Sequence, residues 1–192
     1  LEPAFSDESG NFELRIKPDY TGVTYFKVTG GVYTDETTNS VVSLETTLRA
    51  AATLKIGDVD EAGVSINITP LTELAYRMLD SDVSTSKVDQ VNKAVADTFG
   101  VDDILATQPV IATKAGAHNA SEEEQNYGKV LAAISGIGTD LDESLERIED
   151  HISVADDSMV ISDAGTSLLE AGAENFDDSG YSNVGSVEAL LE

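Results

Sequence analysis

The spacing of apolar residues changes at Thr69, and that change limits the folds open to this chain. Before Thr69, apolar side chains alternate with polar ones, which is the period of a strand with one buried face. After Thr69, they recur every three or four residues, as in an amphipathic helix. Strands that precede helices, rather than alternate with them, predict an α+β fold and not a parallel βαβ architecture. We therefore expect an antiparallel, β-sandwich-like part over residues 1–68 and a bundle of about five helices over residues 69–192, either as two units or with one shared core.

The strand segments are bounded by turn residues such as glycine, proline and aspartate. Gly30 and Gly31 fall within a stretch rich in Val, Thr, Tyr and Phe, where we expect a β-bulge. Four or five short strands are expected, over residues 12–16, 23–32, 41–54 (one or two strands) and 64–68.

Each expected helix begins at a residue that is able to cap it. Pro70 takes the first helical position after Thr69, where its missing N–H costs nothing. Ser121 and Glu124 have the spacing of a capping box, and Gly100 suits the end of the second helix. The expected helices start near Thr69, Ser84, Ser121, Thr139 or Asp140, and Ser162, and the fourth carries Leu141, Leu145, Ile148 and Ile152 on its inner face.

The charge of the chain excludes several partners. Its 36 acidic and 11 basic residues give a formal charge of −25, and that field repels nucleic-acid phosphates and anionic membrane surfaces. The absence of cysteine excludes disulfides, cysteine-ligated zinc and thiol catalysis. No apolar run reaches the roughly 18–20 residues of a membrane span, so membrane insertion is not expected. The chain begins with Leu1 rather than Met, and we expect it to be a piece of a longer protein.

Three physical explanations compete for this acidity. Carboxylates are the ligands that calcium prefers, and a bound ion offsets their mutual repulsion. Concentrated salt also makes a very acidic surface tolerable, because it screens that repulsion. A strongly charged surface has a third use, which is solubility alone.

Calcium is the cofactor that the sequence favours, and its candidate ligands lie in acidic turns. The segment at residues 58–63 (DVDEAG) begins like an EF-hand loop, but its twelfth position is Thr69 instead of glutamate and no helices flank it. It therefore remains a turn in which two or three carboxylates share an ion, or a turn exposed to solvent. The candidate calcium ligands are Asp58, Asp60 and Glu61 in this turn, and Asp177 and Asp178 in a second turn; Asp35–Glu36, Asp102–Asp103 and Asp156–Asp157 are similar acidic pairs.

Enzyme motifs are mostly missing from the sequence. The nucleophile elbow, the P-loop and the HExxH zinc motif are all absent. A polysaccharide hydrolase remains an alternative, because paired carboxylates are abundant. The lack of tryptophan disfavours it, since sugars are usually bound against aromatic platforms.

Four segments together resemble a known kind of bacterial module. They are residues 30–37 (GGVYTDET), 48–50 (LRA), 69–75 (TPLTELA) and 126–136 (NYGKVLAAISG), and we call them the motif segments. In this order they are similar to a module of very large, repetitive bacterial surface proteins, including RTX-type adhesins, and of some bacterial lipoproteins. The similarity extends over about residues 12–138.

The resemblance implies an extracellular adhesin module that is non-enzymatic and stabilised by calcium. Its expected role is to mediate or support calcium-dependent attachment to a peptide or glycan ligand on a cell surface. Its other expected partners are neighbouring domains of the same adhesin, and we expect the module to be monomeric. A purely structural spacer is the main alternative to ligand binding.

Overall fold

The chain forms an α+β structure in which small antiparallel sheets are followed by helices, as the apolar spacing predicts. A computed structural model describes residues 3–17, 19–55, 64–79, 83–155 and 158–190. The strands are β1 (Gly22–Val28), β2 (Val32–Asp35), β3 (Ser40–Ser43), β4 (Leu48–Leu54), β5 (Ile152–Ala155) and β6 (Ser158–Ile161). The helices are α1 (Pro70–Arg77), α2 (Thr85–Phe99), α3 (Glu122–Ser135), α4 (Leu141–Glu149) and α5 (Asp163–Ser179), with short 3₁₀ turns at Ala117–Asn119 and Glu188–Leu190.

The central sheet consists of β1 and β4, paired antiparallel from Gly22 opposite Leu54 to Val28 opposite Leu48. Helix α2 is bonded to β4 through the side-chain amide of Asn92, which donates to the carbonyl of Ala51 over 2.8 Å. A layer of non-helical segments packs against the other side of the sheet. Its apolar side chains are Phe12, Leu14, Ile16, Ile66 and Ile68, which surround Phe26, Ala50 and Ala52.

Residues 12–16 show the expected alternation of burial and residues 64–68 do not, and neither segment forms a strand. In the second segment, the backbone N–H of Asn67 donates to the carbonyl of Leu105. The side-chain amide of Asn67 donates to the carbonyl of Thr107 over 2.6 Å. The connection after α2 therefore accepts hydrogen bonds from this segment that a neighbouring strand would otherwise accept.

The second sheet is the hairpin of β2 and β3, which pairs Val32 with Ser43 and Asp35 with Ser40. The expected single strand over residues 23–32 is two strands, because Gly30 and Gly31 both adopt positive φ, at +70° and +86°. Residues with side chains rarely adopt such angles. The glycine pair thus forms a turn between β1 and β2, and the prediction of a bulge inside one strand is wrong.

The helix starts are confirmed. The side chains of Thr69, Ser84, Ser121, Asp140 and Ser162 each accept a hydrogen bond from a backbone N–H in the first turn of their helix. Gly100 ends α2 in the left-handed conformation, with φ of +63°. These signals were readable because capping involves residues only three positions apart.

A third hairpin, β5–β6, lies between α4 and α5, where the sequence predicts no strands. Ile152 belongs to β5 and pairs with Ile161 of β6, so its place on the fourth helix is corrected. Helix α4 already ends at Glu149. The hairpin is held against α2, where the hydroxyl of Thr98 donates to the carbonyl of Met159.

The largest core cluster includes side chains from both parts of the chain. Leu48 of β4 is buried in the same cluster as Leu71 and Leu74 of α1 and Ile134 of α3. A second cluster is centred on Phe176 of α5 and the alanines of α3 that face it. Within the described ranges, no helix is both long and apolar enough to cross a membrane.

Candidate functional site

The motif segments meet in the interior, beginning with the β2–β3 hairpin. At the end of β2, the Asp35 carboxylate accepts hydrogen bonds from the backbone N–H and the hydroxyl of Thr38, at 2.7 and 2.6 Å. Its other oxygen accepts one from the Ser135 hydroxyl on α3 at 3.3 Å. The adjacent Glu36 accepts one from the backbone N–H of Ala112 at 2.7 Å. Two neighbouring carboxylates therefore fasten the hairpin to the helical part.

Burial raises the pKa of Glu36 to about 7, with a smaller contribution from the charge of Asp35, although the hydrogen bond from Ala112 acts in the opposite direction. The folded chain therefore binds a proton at this carboxyl over a pH range in which the unfolded chain has released it. Between about pH 4.5 and 7, this group makes the free energy of unfolding fall as the pH rises.

Glu36→Gln should flatten the pH dependence of stability between pH 4.5 and 7. Because Glu36 is only partly buried, we expect the variant to gain about 1–3 kcal/mol at pH 8 relative to wild type and little at pH 4.5. Urea unfolding at a series of pH values measures this. Glu45→Gln removes an equal charge at an exposed position, so it is the control for the general relief of charge repulsion in acid. Identical pH profiles of stability for the two variants would contradict the assignment of the raised pKa to Glu36.

The second and third motif segments meet at a buried carboxylate. Glu73 of α1 is fully buried and accepts hydrogen bonds from the backbone N–H and the guanidinium of Arg49 on β4. On its other side it accepts one from Arg77 at 2.8 Å. The side-chain bond with Glu73 raises the pKa of Arg49. Glu73 thus connects α1 to the central sheet through Arg49, and it pairs with Arg77 within α1.

Aromatic rings cover this ion cluster on its outer side. The guanidinium carbon of Arg49 lies 4.3 Å from the centre of the Tyr76 ring, a cation–π contact. Tyr25 of β1 packs edge-on against Tyr76 at 5.9 Å. The Nε and Nη2 groups of Arg49 both donate to Glu73, so this cluster positions secondary structure.

The third and fourth motif segments meet at Tyr127 of α3. Its buried hydroxyl lies 2.6 Å from that of Thr69, the residue that caps α1, and 3.1 Å from the carbonyl of Ile104, to which it donates. Burial raises the pKa of Tyr127. The cap of one helix is therefore tied to the middle of another.

Glycines in the fourth motif segment permit close contact between backbones. A Cβ at Gly136 would lie 2.1 Å from the carbonyl oxygen of Gly172 on α5, and a Cβ at Gly172 would lie 2.2 Å from that of Ala133. Real Cβ atoms do not approach so closely, so α3 and α5 touch only because both positions lack side chains. All four motif segments thus determine the fold, and none of their contacts forms an open cleft.

The predicted calcium ligands are not gathered into a site in the described part of the chain. Asp58, Asp60 and Glu61 lie outside the described residues. Asp177 and Asp178 lie in the last turn of α5, so their placement in a turn after the helix is wrong. The Asp177 carboxylate accepts hydrogen bonds from the hydroxyl of Ser186 and the backbone N–H groups of Val187 and Glu188, at 2.8–3.2 Å. Asp178 is exposed. Among the described residues, no three carboxylates or histidines are placed to hold a metal together.

Two open grooves are candidates for binding a ligand. The larger, of about 820 Å³, lies between α2, β6 and α5 and is lined by Thr98, Phe99, Met159 and Val160 among others. Its rim carries Lys93, which is paired with Asp97 at 2.7 Å. The smaller, of about 470 Å³, lies beside β1 and is lined by Ile16, Lys17, Tyr20, Val23, Thr24 and Tyr25.

One comparison with known proteins supports the resemblance at a coarse level. The chain is 31% identical, over 131 residues and 59% of its length, to the autotransporter adhesin BadA of Bartonella henselae. That alignment covers only 4% of the adhesin. No protein-family profile matches the chain, and no solved structure matches it. The similarity supports an adhesin-related module of a bacterial surface protein and does not single out the RTX type.

Proposed function

We propose that this chain is an extracellular, non-enzymatic module of a large bacterial surface adhesin of the repetitive type that includes RTX adhesins. Its role is to support calcium-dependent attachment of the cell to a peptide or glycan ligand. The proposal rests on the similarity to a short part of a very long adhesin, which fits a module among many. The alternative of a structural spacer draws support from the motif segments, because their contacts are internal.

Surface display tests the proposal directly. We expect a non-adherent bacterium that displays the chain to bind host-cell layers or matrix proteins better than one displaying an unrelated domain of equal size. Adherence should fall when calcium is chelated. A spacer instead predicts adherence equal to the control, with or without calcium, and that result would reject a role of this module in ligand binding.

Calcium binding is a separate prediction. If the chain holds calcium, its melting temperature should rise with calcium concentration and saturate, because an ion that binds only the folded state stabilises it. Magnesium should have little effect, since it prefers a smaller octahedral site. Differential scanning calorimetry in EDTA, calcium and magnesium measures this.

Variants of the candidate ligands test where calcium binds. Asp58→Asn combined with Asp60→Asn should abolish the calcium response if the turn at residues 58–63 binds it. Asp178→Asn tests the end of α5 without disturbing the hydrogen bonds of Asp177 to residues 186–188. A smooth rise of stability with sodium chloride, and none specific to calcium, would instead favour adaptation to salt.

A further inference from the structure

Strand β1 has a free edge in the described part of the chain. Its seven residues pair with β4 on one side, and no other described strand pairs with it. In an antiparallel ladder, alternate residues direct their N–H and C=O groups to the partner strand and the others direct theirs outward. The carbonyl of Val23 accepts a hydrogen bond of 2.7 Å from the Tyr20 hydroxyl outside the ladder. This places the outward groups at Val23, Tyr25 and Lys27.

The smaller groove lies directly beside this edge. Val23, Thr24 and Tyr25 form one wall, and Ile16, Lys17 and Tyr20 form the other. Thr24 is only 8% exposed, and its hydroxyl has no hydrogen-bond partner. Leaving a buried hydroxyl unpaired is costly. The hydroxyl oxygen itself has almost no accessible surface, so it is not a contact for a ligand in the groove.

The part of the sequence that forms the groove is much less acidic than the rest of the chain. Residues 1–55 contain 5 basic and 8 acidic residues, a net charge of −3, whereas residues 56–192 contain 6 and 28, a net charge of −22. Lys17 lines the groove, and Lys27 lies on β1; both are exposed. Two exposed lysines therefore lie where they would attract a carboxylate of a bound peptide.

We propose that the free edge of β1 binds an extended peptide by strand addition, with an acidic side chain opposite Lys27 and an apolar or aromatic one opposite Tyr25. Main-chain hydrogen bonds to the outward groups of β1 hold the peptide, and the side chains of Tyr25 and Lys27 select it. The row of main-chain groups at two-residue spacing favours a peptide over a glycan. The inference rests on the proposed function and names the class of ligand that the module takes.

A synthetic heptapeptide, TVEVYVT, is the probe. Its glutamate and tyrosine are two residues apart, so antiparallel addition brings them opposite Lys27 and Tyr25. We expect fluorescence polarisation to show saturable binding to the whole chain. N-methylation at the third and fifth residues should abolish binding, because their N–H groups face β1, and methylation at the fourth and sixth should preserve it. Equal loss with both methylated peptides, or no binding at all, would overturn the proposal.

Charge exchange and a groove variant complete the test. Lys27→Glu should weaken binding at least about fivefold, and a probe with lysine in place of glutamate should recover it. Lys93→Glu on α2 is the matched control and should leave binding unchanged. Thr24→Val should leave binding unchanged, because the Thr24 hydroxyl has almost no accessible surface. If the displayed module adheres but binds only glycans on an array, strand addition is rejected and the proposed function stands. If the module binds the peptide but does not adhere, strand addition stands and the proposed role in attachment is rejected.

Discussion

Replacing Glu73 with alanine is expected to lower the free energy of unfolding by about 3–5 kcal/mol, because it leaves two buried or half-buried guanidinium groups without their shared partner. The side chain has no exposed surface, and it bonds Arg49 and Arg77 as well as the backbone N–H of Arg49. For a chain of this size, the melting temperature should fall by about 6–20 °C. Thermal unfolding followed by circular dichroism measures the change.

The matched control for Glu73 is Glu149, which also pairs with Arg77, at 2.9 Å, but is about half exposed. Glu149→Ala should cost no more than about 1 kcal/mol, because solvent screens an exposed ion pair. Glu73→Gln, which keeps the shape of the side chain, should be intermediate. Similar losses for Glu73→Ala and Glu149→Ala would show that the buried cluster does not stabilise the fold as its contacts indicate.

Replacing Gly172 with alanine should also destabilise the chain, although alanine is the better helix former. The added Cβ would lie 2.2 Å from the carbonyl oxygen of Ala133 and 3.0 Å from the side chain of Ile137. Helices α3 and α5 must then separate, and overpacking of this kind typically costs about 1–3 kcal/mol. We expect a net loss of about 2 kcal/mol, measured by urea unfolding.

A substitution at the neighbouring residue separates the effect of helix propensity from that of packing. Ala171 is exposed on the same helix, and Ala171→Gly should cost about 0.5–1 kcal/mol through helix propensity alone. If propensity governed both sites, Gly172→Ala would stabilise the chain. A gain in stability for Gly172→Ala would therefore refute the close contact between α3 and α5.

Features that depend on neighbouring residues could be predicted from the sequence, and contacts between distant segments could not. The helix caps were predicted because a side chain and its N–H partner lie in the same turn, as at Ser121 and Glu124. The β5–β6 hairpin was missed because its strands have only four residues each, too few to separate period 2 from the end of a helix. The role of Glu73 was hidden in the same way, since Arg49 lies 24 residues before it.

The candidate site was predicted only in part, for the same reason. Asp177 and Asp178 were assigned to a turn after the fifth helix, but α5 continues through both of them to Ser179. A sequence does not show how far a helix continues or which hydrogen bonds its last residues accept. Asp177 was assigned to calcium, and its carboxylate accepts hydrogen bonds from three following residues; the calcium assignment itself remains a prediction. The groove beside β1 depends on which strand edge stays unpaired, and no local pattern encodes that.

The contacts that fasten the β2–β3 hairpin also set the order in which the chain completes its fold. The Asp35 carboxylate accepts a hydrogen bond from Ser135, 100 residues later in the sequence. The Thr46 hydroxyl donates one to Asp142, 96 residues later. Contacts so distant along the chain slow folding, because a long loop must close before they form. The hairpin can therefore form its own ladder early, but its links to α3 and α4 close only after those helices have been synthesised.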